Sequence, residues 1–216
     1  INERDDHYNT IIIGSGISGL FALKELKNKN INNVLILDSN PEPFGVWNIN
    51  NHPSVIEETY AVSSKLYMTI TDFPMDKDVP EFPHHSIILD YYKKYAKHYD
   101  LLKHVKNNIY VTKTYKKNNV WIIETNKNTY TSKNLVVATG TTNSCLNLPQ
   151  DKMYQNFKGE KYHCDQFKNL RNKFDNKKIL IVGVSDTAAD LAEILKTNNE
   201  VTMSSKNGIW FQSRNF

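Results

Sequence analysis

The sequence predicts an α/β protein with Rossmann-like doubly wound sheets, and three observations support this fold class. Residues 10–13 form a short apolar run rich in β-branched residues, followed by glycines and a segment with helical spacing. Residues 34–37 have the composition of a second buried strand. Residues 178–204 repeat the same strand–helix–strand pattern. A parallel pair of strands joined by a helix is the repeating unit of a doubly wound sheet.

A glycine-rich turn connects the first predicted strand to its helix. Gly14, Gly16 and Gly19 fit the pattern G-x-G-x-x-G in the strand-to-helix context that makes it informative. Gly14 permits the tight turn, Gly16 lets the backbone approach a pyrophosphate, and Gly19 allows the helix to pack closely on the strand. Asp38 follows roughly 20 residues later, where a carboxylate bonds ribose hydroxyls. The sequence therefore predicts a dinucleotide site, although spacing alone does not distinguish NAD from FAD.

A second and weaker motif opens the repeated unit. Gly183, Ser185 and Ala188 occupy the three glycine positions, with Thr187 between the last two. Small residues at these positions still admit a phosphate near the helix end. Lys206 follows the next predicted strand, where an NAD enzyme usually carries an acid and an NADP enzyme a cation for the 2′-phosphate. Lys206 therefore favours NADPH over NADH at a second dinucleotide site.

Between the two motifs the sequence predicts a helix from Ser86 and a β-meander. Aromatic and apolar residues recur at helical spacing after Ser86, so the tyrosines of this helix are interpreted as core residues. The meander consists of short strands at 109–115, 120–125 and 129–131. A parallel strand at 135–138 is then expected to return to the sheet.

Composition limits the classes of function. The 216 residues are 39% hydrophobic, enough to bury a core, and their net charge of +4 is spread along the chain, so no nucleic-acid partner is expected. The two cysteines, Cys145 and Cys164, form no C-x-x-C and no recognised ligand spacing, so no metal site is expected. The longest apolar stretch, residues 11–23, is shorter than the ~20 residues of a membrane span. An intracellular, cytoplasmic location without a membrane segment is the resulting expectation.

Several segments resemble the flavin-containing monooxygenase family. Residues 157–167, Phe-Lys-Gly-Glu-Lys-Tyr-His-Cys-Asp-Gln-Phe, fit its fingerprint F-x-G-x-x-x-H-x-x-x-F/Y, which stands ahead of the second nucleotide motif. Residues 43–47 resemble the G-G-x-W segment beside the flavin, with Phe44 in place of the first glycine. Residues 138–140 resemble the A-T-G segment that ends a sheet strand in the family. The resemblance covers almost the whole chain.

This resemblance implies an enzyme of the N,N-dimethylaniline monooxygenase type that uses FAD and NADPH. NADPH would pass hydride to FAD, and a C4a-hydroperoxyflavin formed with dioxygen would oxygenate a soft nitrogen or sulfur centre of a small amine or sulfide. Phe167-Lys168 stand where the Baeyer–Villiger relatives have Trp-Pro, which favours heteroatom oxygenation. His163 is expected to lie near both cofactors. The expected cofactor-binding residues are Gly14, Gly16, Gly19, Asp38, Gly45, Trp47, Thr139, Gly140, His163, Gly183, Ser185, Thr187 and Lys206.

The resemblance also suggests a division of the chain into domains. An FAD-binding domain with the inserted meander is expected at 1–145, a connector carrying the fingerprint at 146–177, and an NADP(H)-binding domain at 178–216. The second domain is expected to be incomplete because the sequence stops soon after its second strand. The oligomeric state, and membrane association through a tail beyond residue 216, are left open.

One expected catalytic position departs from the family pattern. Val62 stands where many members carry a catalytic asparagine, and valine can form no side-chain hydrogen bond. Ser63 and Ser64 are therefore the candidate catalytic residues, and without a substitute the enzyme would release peroxide. A truncated, non-catalytic nucleotide-binding or regulatory product is the second hypothesis. A two-dinucleotide disulfide reductase is the third, and the absence of C-x-x-C disfavours it.

Overall fold

The computed structural model describes residues 7–53, 55–141 and 152–210. Its strands are β1 His7–Ile13, β2 Val34–Leu37, β3 Val105–Lys106, β4 Val111–Lys117, β5 Val120–Thr125, β6 Thr129–Val137, β7 Lys178–Val182 and β8 Glu200–Ser204. Its α-helices are α1 Ile17–Asn28, α2 Lys65–Met68, α3 His85–His98, α4 Lys152–Asn156, α5 Phe167–Leu170 and α6 Asp186–Leu195. Both predicted strand–helix–strand units are present, which confirms the Rossmann-like α/β fold class.

The described residues form two compact units. Unit one holds those within Ile1–His52 and Ser86–Asn143, and unit two holds those within Pro53–His85 and Ser144–Phe216. The predicted domain boundary at 145/146 lies outside the described residues. The domain division therefore stays a prediction.

Unit one is built on a six-stranded sheet in the order β3-β2-β1-β6-β5-β4. β1 lies in the middle of the parallel part and pairs with β2 on one side and β6 on the other, so that Ile11 is level with both Leu35 and Leu135. β5 pairs antiparallel with both β6 and β4. Ile11 is fully buried between these neighbours, as expected of a β-branched residue in a parallel strand covered on both faces.

The sequence-based division of residues 129–138 into two strands is wrong. The expected meander strand at 129–131 and the expected returning strand at 135–138 are two halves of β6, a single strand of nine residues. The polar residues between them suggested a turn, but Ser132 is fully buried and its Oγ donates to Asn134 O over 2.7 Å. Asn134 Nδ2 in turn donates to Asn9 O on β1 over 3.1 Å. The sheet backbone therefore satisfies these polar side chains, and the strand continues through them.

The helix predicted to begin near Ser86 is α3, and its tyrosines are core residues as interpreted. Tyr91, Tyr92 and Tyr95 are each at most 6% exposed. Tyr95 meets Phe21 of α1 edge-on with ring centroids 5.3 Å apart, a favoured aromatic geometry. These side chains are packing residues of unit one.

Unit two contains the parallel pair β7–β8, whose register places Ile179 beside Val201. α6 packs its apolar side against a cluster that includes Ile56 and Phe167, with Leu191 and Leu195 among its buried members. Ile56 shows that residues 53–85 contribute to the core of this unit. No helix among the described residues has the length and apolar character to cross a membrane.

Candidate functional site

The first glycine-rich turn is shaped by close backbone contacts. Gly14 has a φ of 103° and donates its N–H to Leu37 O over 2.8 Å, which links the end of β1 to the end of β2. A Cβ at Gly14 would overlap Ala138 O and lie 2.9 Å from the carbonyl carbon of Ala138. A Cβ at Gly19 would overlap Gly14 O and lie 3.1 Å from Gly14 C. Both glycines are therefore required by the fold of the turn itself.

Gly16 is different, because the turn leaves space beside it. A Cβ there would meet only Gly45 Cα, at 3.8 Å, which is ordinary van der Waals contact. Gly16 also precedes the first turn of α1, whose free amides favour negative charge. The fold therefore leaves space beside Gly16, and phosphate binding at this position stays a prediction.

The Asp38 side chain stabilises the first glycine-rich turn through hydrogen bonds as well as lying beside it. Its Oδ2 accepts from Ser15 N and from Ser15 Oγ, both over 2.6 Å, and its Oδ1 accepts from Asn40 N over 2.8 Å. The side chain is nearly buried, at 5% exposure. A carboxylate offers about four acceptor positions, so Oδ1 retains one, and the ribose contact expected of it stays a prediction. The structural part of this role, and Ser15 as its partner, were missed from the sequence because they depend on a through-space contact.

The loop at residues 43–47 packs directly on the glycine-rich turn. Gly45 has a φ of 54°, and a Cβ there would lie 3.1 Å from Gly16 Cα. Phe44 donates its N–H to Ser15 O over 3.0 Å and adopts a φ of 82°, in the left-handed region that favours glycine. Its ring is 4% exposed. Burial of a phenylalanine side chain stabilises by about 1.5–3 kcal/mol, which offsets the roughly 1–2 kcal/mol of the left-handed backbone. Trp47, in the same loop, is partly buried.

The segment after β6 completes this arrangement. Ala138 donates its N–H to Ile13 O over 2.8 Å, which brings the segment beside Gly14. Thr139 and Gly140 follow and are exposed, and Gly140 has a φ of 78°. The carboxyl ends of β1, β2 and β6 thus meet the loop at residues 43–47, at the edge where open α/β sheets bind ligands. All the residues expected to bind the first cofactor belong to unit one: Gly14, Gly16, Gly19, Asp38, Gly45, Trp47, Thr139 and Gly140.

The second turn repeats the hydrogen bonding of the first. Gly183, with a φ of 117°, donates its N–H to Ser204 O over 2.9 Å, as Gly14 does to the end of β2. Ser185 stands before α6 as Gly16 stands before α1, and Thr187 lies in the first turn of α6. This equivalence aligns Ser205 with the carboxylate position of the first site, which sequence reasoning located only within residues 204–206. Lys206 comes next and is exposed.

Contacts between near neighbours in the sequence also determine the conformation of the fingerprint segment, residues 157–167. A Cβ at Gly159 would lie 2.6 Å from ring atoms of Phe157, so the aromatic residue and the glycine two positions later depend on one another. His163 precedes a single 3₁₀ turn, where its Nδ1 accepts from Asp165 N over 3.3 Å. Its own N–H donates to Gln166 Oε1 over 2.8 Å, which completes a capping box. The cofactor role expected for His163 stays a prediction.

The candidate catalytic serines lie beside α2 in unit two. Ser64 precedes this helix without capping it through its hydroxyl, and Ser63 and Val62 are exposed. Lys65 holds the segment by donating its Nζ to Val79 O over 2.6 Å and to Lys77 O over 2.9 Å. The catalytic role of Ser63 and Ser64 stays a prediction.

Burial perturbs three ionisable groups in unit two. Desolvation, aided by the neighbouring His84 and Lys168, lowers the pKa of His85, whose side chain is 7% exposed. Desolvation also lowers the pKa of the Lys168 ammonium. Partial desolvation of the sulfur and the charge of Asp165 raise the pKa of the Cys164 thiol, although the residue as a whole is exposed, so this group is a poor nucleophile at neutral pH.

Comparison with known proteins connects this geometry with flavoenzymes. A sequence profile described as flavin-binding monooxygenase-like matches residues 8–216. The chain is 28% identical over 220 residues to dimethylaniline monooxygenase 2, named as N-oxide-forming, from Mus musculus. The alignment covers 94% of this chain and 41% of that protein, so the chain spans less than half the length of this relative.

Solved structures show the same fold. The flavin-containing monooxygenase from Stenotrophomonas maltophilia superposes with a TM-score of 0.80 at 19% identity, covering 98% of this chain and 61% of that one. OTEMO, solved in complex with FAD and NADP, superposes with a TM-score of 0.71 at 20% identity, covering 92% of this chain and 38% of that one.

Proposed function

The chain belongs to the flavin-binding monooxygenase-like family, and from that premise we propose that it supplies the FAD and NADPH sites of a monooxygenase acting on a soft nitrogen or sulfur centre. The observation that carries the proposal is the open position at Gly16, framed by Gly14, Gly45 and the segment that follows Ala138. Bound FAD would supply the redox chemistry, accepting hydride from NADPH and activating dioxygen for transfer to the substrate.

The residues of unit one fit an FAD. The backbone at Gly16 and the amides that begin α1 would bind the pyrophosphate, whose charge suits a helix N-terminus. The remaining acceptor position of Asp38 Oδ1 would take a ribose hydroxyl. Gly45, Trp47 and the exposed residues that follow β6 would orient the cofactor and exclude water from it. OTEMO binds FAD and NADP on the same fold, which supports this assignment.

The residues of unit two favour NADPH over NADH. Ser205 takes the position that the carboxylate of Asp38 holds in the first site, so no acid there repels a 2′-phosphate. The exposed ammonium of Lys206 directly follows and supplies a cation for the phosphate. The helix N-terminus after Ser185 would face the pyrophosphate.

The variant Lys206→Ala tests this preference. Loss of a charge-assisted contact to the 2′-phosphate is expected to raise the KM for NADPH roughly tenfold, equivalent to about 1.4 kcal/mol. The KM for NADH should stay unchanged, because NADH has no phosphate at this position. Steady-state oxidation of each nucleotide by the protein that contains this chain measures both values.

Lys178→Ala is the matched control. It removes the same charge from the same two-stranded sheet, but Lys178 begins β7 and pairs with Glu200 over 3.3 Å at the other end of the strands. An equal rise in KM for NADPH in both variants would show only a general effect of charge. If Lys206→Ala leaves the ratio of the KM values for NADPH and NADH unchanged, Lys206 does not bind the 2′-phosphate.

Oxygenation of a soft nitrogen centre is supported by the name of the mouse relative, which describes N-oxide formation. Phe167, which stands in the place of the Baeyer–Villiger tryptophan, is 5% exposed and stacks on Phe174 with centroids 6.0 Å apart. Its role in this unit is therefore packing. Dimethylaniline and a simple thioether are the substrates with which the proposal is tested.

The absorbance spectrum of the protein that contains this chain tests the function as a whole. A bound flavin should bleach when NADPH is added without oxygen, and its colour should return in air as an amine oxide or sulfoxide is formed. A purified protein that binds no flavin, even when FAD is added, would refute the proposal.

A non-catalytic nucleotide-binding protein is the second candidate, and Val62 is the observation that favours it. Its side chain is 54% exposed and offers no hydrogen bond where the family pattern has an amide. This candidate predicts that FAD and NADPH bind without steady turnover. Oxidation of NADPH that yields only hydrogen peroxide would instead indicate that Ser63 and Ser64 do not replace the missing amide.

A further inference from the structure

Three consecutive side chains in the fingerprint segment meet at one point. His163, Cys164 and Asp165 each direct one donor atom to the same place, and these atoms all lie within 4.8 Å of one another. His163 Nδ1 is 3.3 Å from Asp165 Oδ2 and 3.8 Å from Cys164 Sγ. Cys164 Sγ is 3.8 Å from Asp165 Oδ1. One imidazole nitrogen, one thiol and one carboxylate therefore surround a common centre.

The contacts involve both oxygens of the Asp165 carboxylate. Zinc bonds of ~2.0–2.1 Å to histidine, ~2.3 Å to cysteine and ~2.0–2.2 Å to a carboxylate place nitrogen and oxygen ligands about 3.3 Å apart, and sulfur about 3.6 Å from either. Asp165 Oδ2 meets the first distance, at 3.3 Å from His163 Nδ1, whereas the oxygen nearest to Cys164 Sγ is Oδ1, at 3.8 Å. With one atom from each residue the three donors lie within 4.8 Å of one another, so rotation of the Asp165 and Cys164 side chains has to bring them onto a single ion.

The backbone holds the three donors in this arrangement. The N–H of His163 donates to Gln166 Oε1 over 2.8 Å and so fixes the start of the turn. The side chains of His163 and Asp165 are 27% and 13% exposed, which limits their rotation. Cys164 is exposed, which leaves an approach for an ion from solvent. His163 Nδ1 accepts a hydrogen bond from Asp165 N, so its lone pair already points toward the turn.

We propose that His163 Nδ1, Cys164 Sγ and the Asp165 carboxylate bind one zinc ion, with a fourth position left to water or another small ligand. Three protein ligands with one open position are typical of zinc sites that are accessible to solvent. The thiol and imidazole select zinc over magnesium and calcium, which prefer oxygen ligands. Binding transfers the Cys164 thiol proton to solvent and replaces the 3.3 Å hydrogen bond from Asp165 N by a bond from His163 Nδ1 to the metal.

The proposed site departs from the sequence-based expectation that the chain has no metal site, and metal analysis decides between the two. Three adjacent ligands match none of the spaced zinc patterns, so no motif indicated them. Their convergence depends on the extended backbone of His163, with φ −86° and ψ 147°, followed by the 3₁₀ turn at Cys164–Gln166. The test measures bound metal directly and needs neither flavin nor nucleotide, although His163 is also an expected cofactor-binding residue.

Metal binding by the untagged protein tests the site. The protein is treated with a chelator, dialysed against zinc chloride and assayed for bound metal, with one zinc per chain expected. Cobalt is the spectroscopic probe, and a thiolate-to-cobalt charge-transfer band is expected in the difference spectrum. Cys164→Ser should abolish this band and weaken zinc binding by roughly 100-fold or more, since loss even of outer partners weakens metal binding 10–100-fold.

Cys145→Ser is the matched control, because it removes the only other thiol of the chain, at a position outside the described residues. It should retain both the zinc and the charge-transfer band. Far-UV circular dichroism checks that Cys164→Ser folds, as expected for an exposed side chain. Zinc binding that Cys164→Ser leaves unchanged, or a band that disappears only with Cys145→Ser, would overturn the proposal. If the parent protein binds no stoichiometric zinc, the proposal is wrong and the three residues serve only to cap the turn.

Discussion

Gly19→Ala is expected to lower the free energy of unfolding by at least about 3 kcal/mol, the upper end of typical overpacking costs. The new methyl group would overlap Gly14 O and stand 3.1 Å from Gly14 C, both of which are backbone atoms. No side-chain rotation can relieve a contact with backbone, so α1 would have to move away from β1. The side chain of Ile12 on β1 adds a third close contact, with its Cγ2 at 3.4 Å from the new carbon.

Urea unfolding followed by circular dichroism measures this loss, with Gly208→Ala as the control. Gly208 has no atom within 4 Å of its would-be Cβ and does not adopt a left-handed φ, so alanine there should change the free energy of unfolding by less than about 0.5 kcal/mol. If Gly19→Ala were as stable as this control, the close packing of helix on strand described here would be wrong.

Gly16→Ala is expected to weaken FAD binding while leaving the stability of the unliganded fold nearly unchanged. The Cβ would lie 3.8 Å from Gly45 Cα and the φ of Gly16 is −63°, so the unliganded chain should keep its stability to within about 1 kcal/mol. The same methyl group would stand where the pyrophosphate approaches the backbone. Loss of one or two charge-assisted hydrogen bonds, each about 1.5–3 kcal/mol, should weaken FAD binding by roughly tenfold or more.

Titration of flavin fluorescence against the apoprotein measures the affinity, and urea unfolding of the same samples measures stability. A Gly16→Ala protein that binds FAD as tightly as the parent would exclude this turn as the pyrophosphate site. A large loss of stability in Gly16→Ala without FAD would instead show that the space beside Gly45 is needed by the fold.

Local sequence patterns were sufficient to predict the elements that carry both nucleotide motifs. β1 and α1 flank the first glycine-rich turn, and β7 and α6 flank the second, as expected. These predictions succeed because strand and helix periodicities are local, and because glycine has no Cβ wherever two backbones come close. The prediction that residues 129–138 form two strands failed for a related reason. Ser132 and its polar neighbours have turn-forming composition, and only partners on β1 and within β6 itself show that the strand continues.

The sequence by itself determined the α/β class, the order of the motifs and the glycines at which the backbone turns. Only the tertiary structure decided that the Asp38 carboxylate binds both polar groups of Ser15, and that Phe44 adopts a left-handed conformation while its ring is buried. It also decided that Ser205 takes the place of an acid in the second site, and that three adjacent donors converge at His163. The physical reason is that sterics and periodicity act between neighbours along the chain. Hydrogen bonds, burial and donor geometry depend instead on distances in space, which the separation of residues along the sequence does not specify.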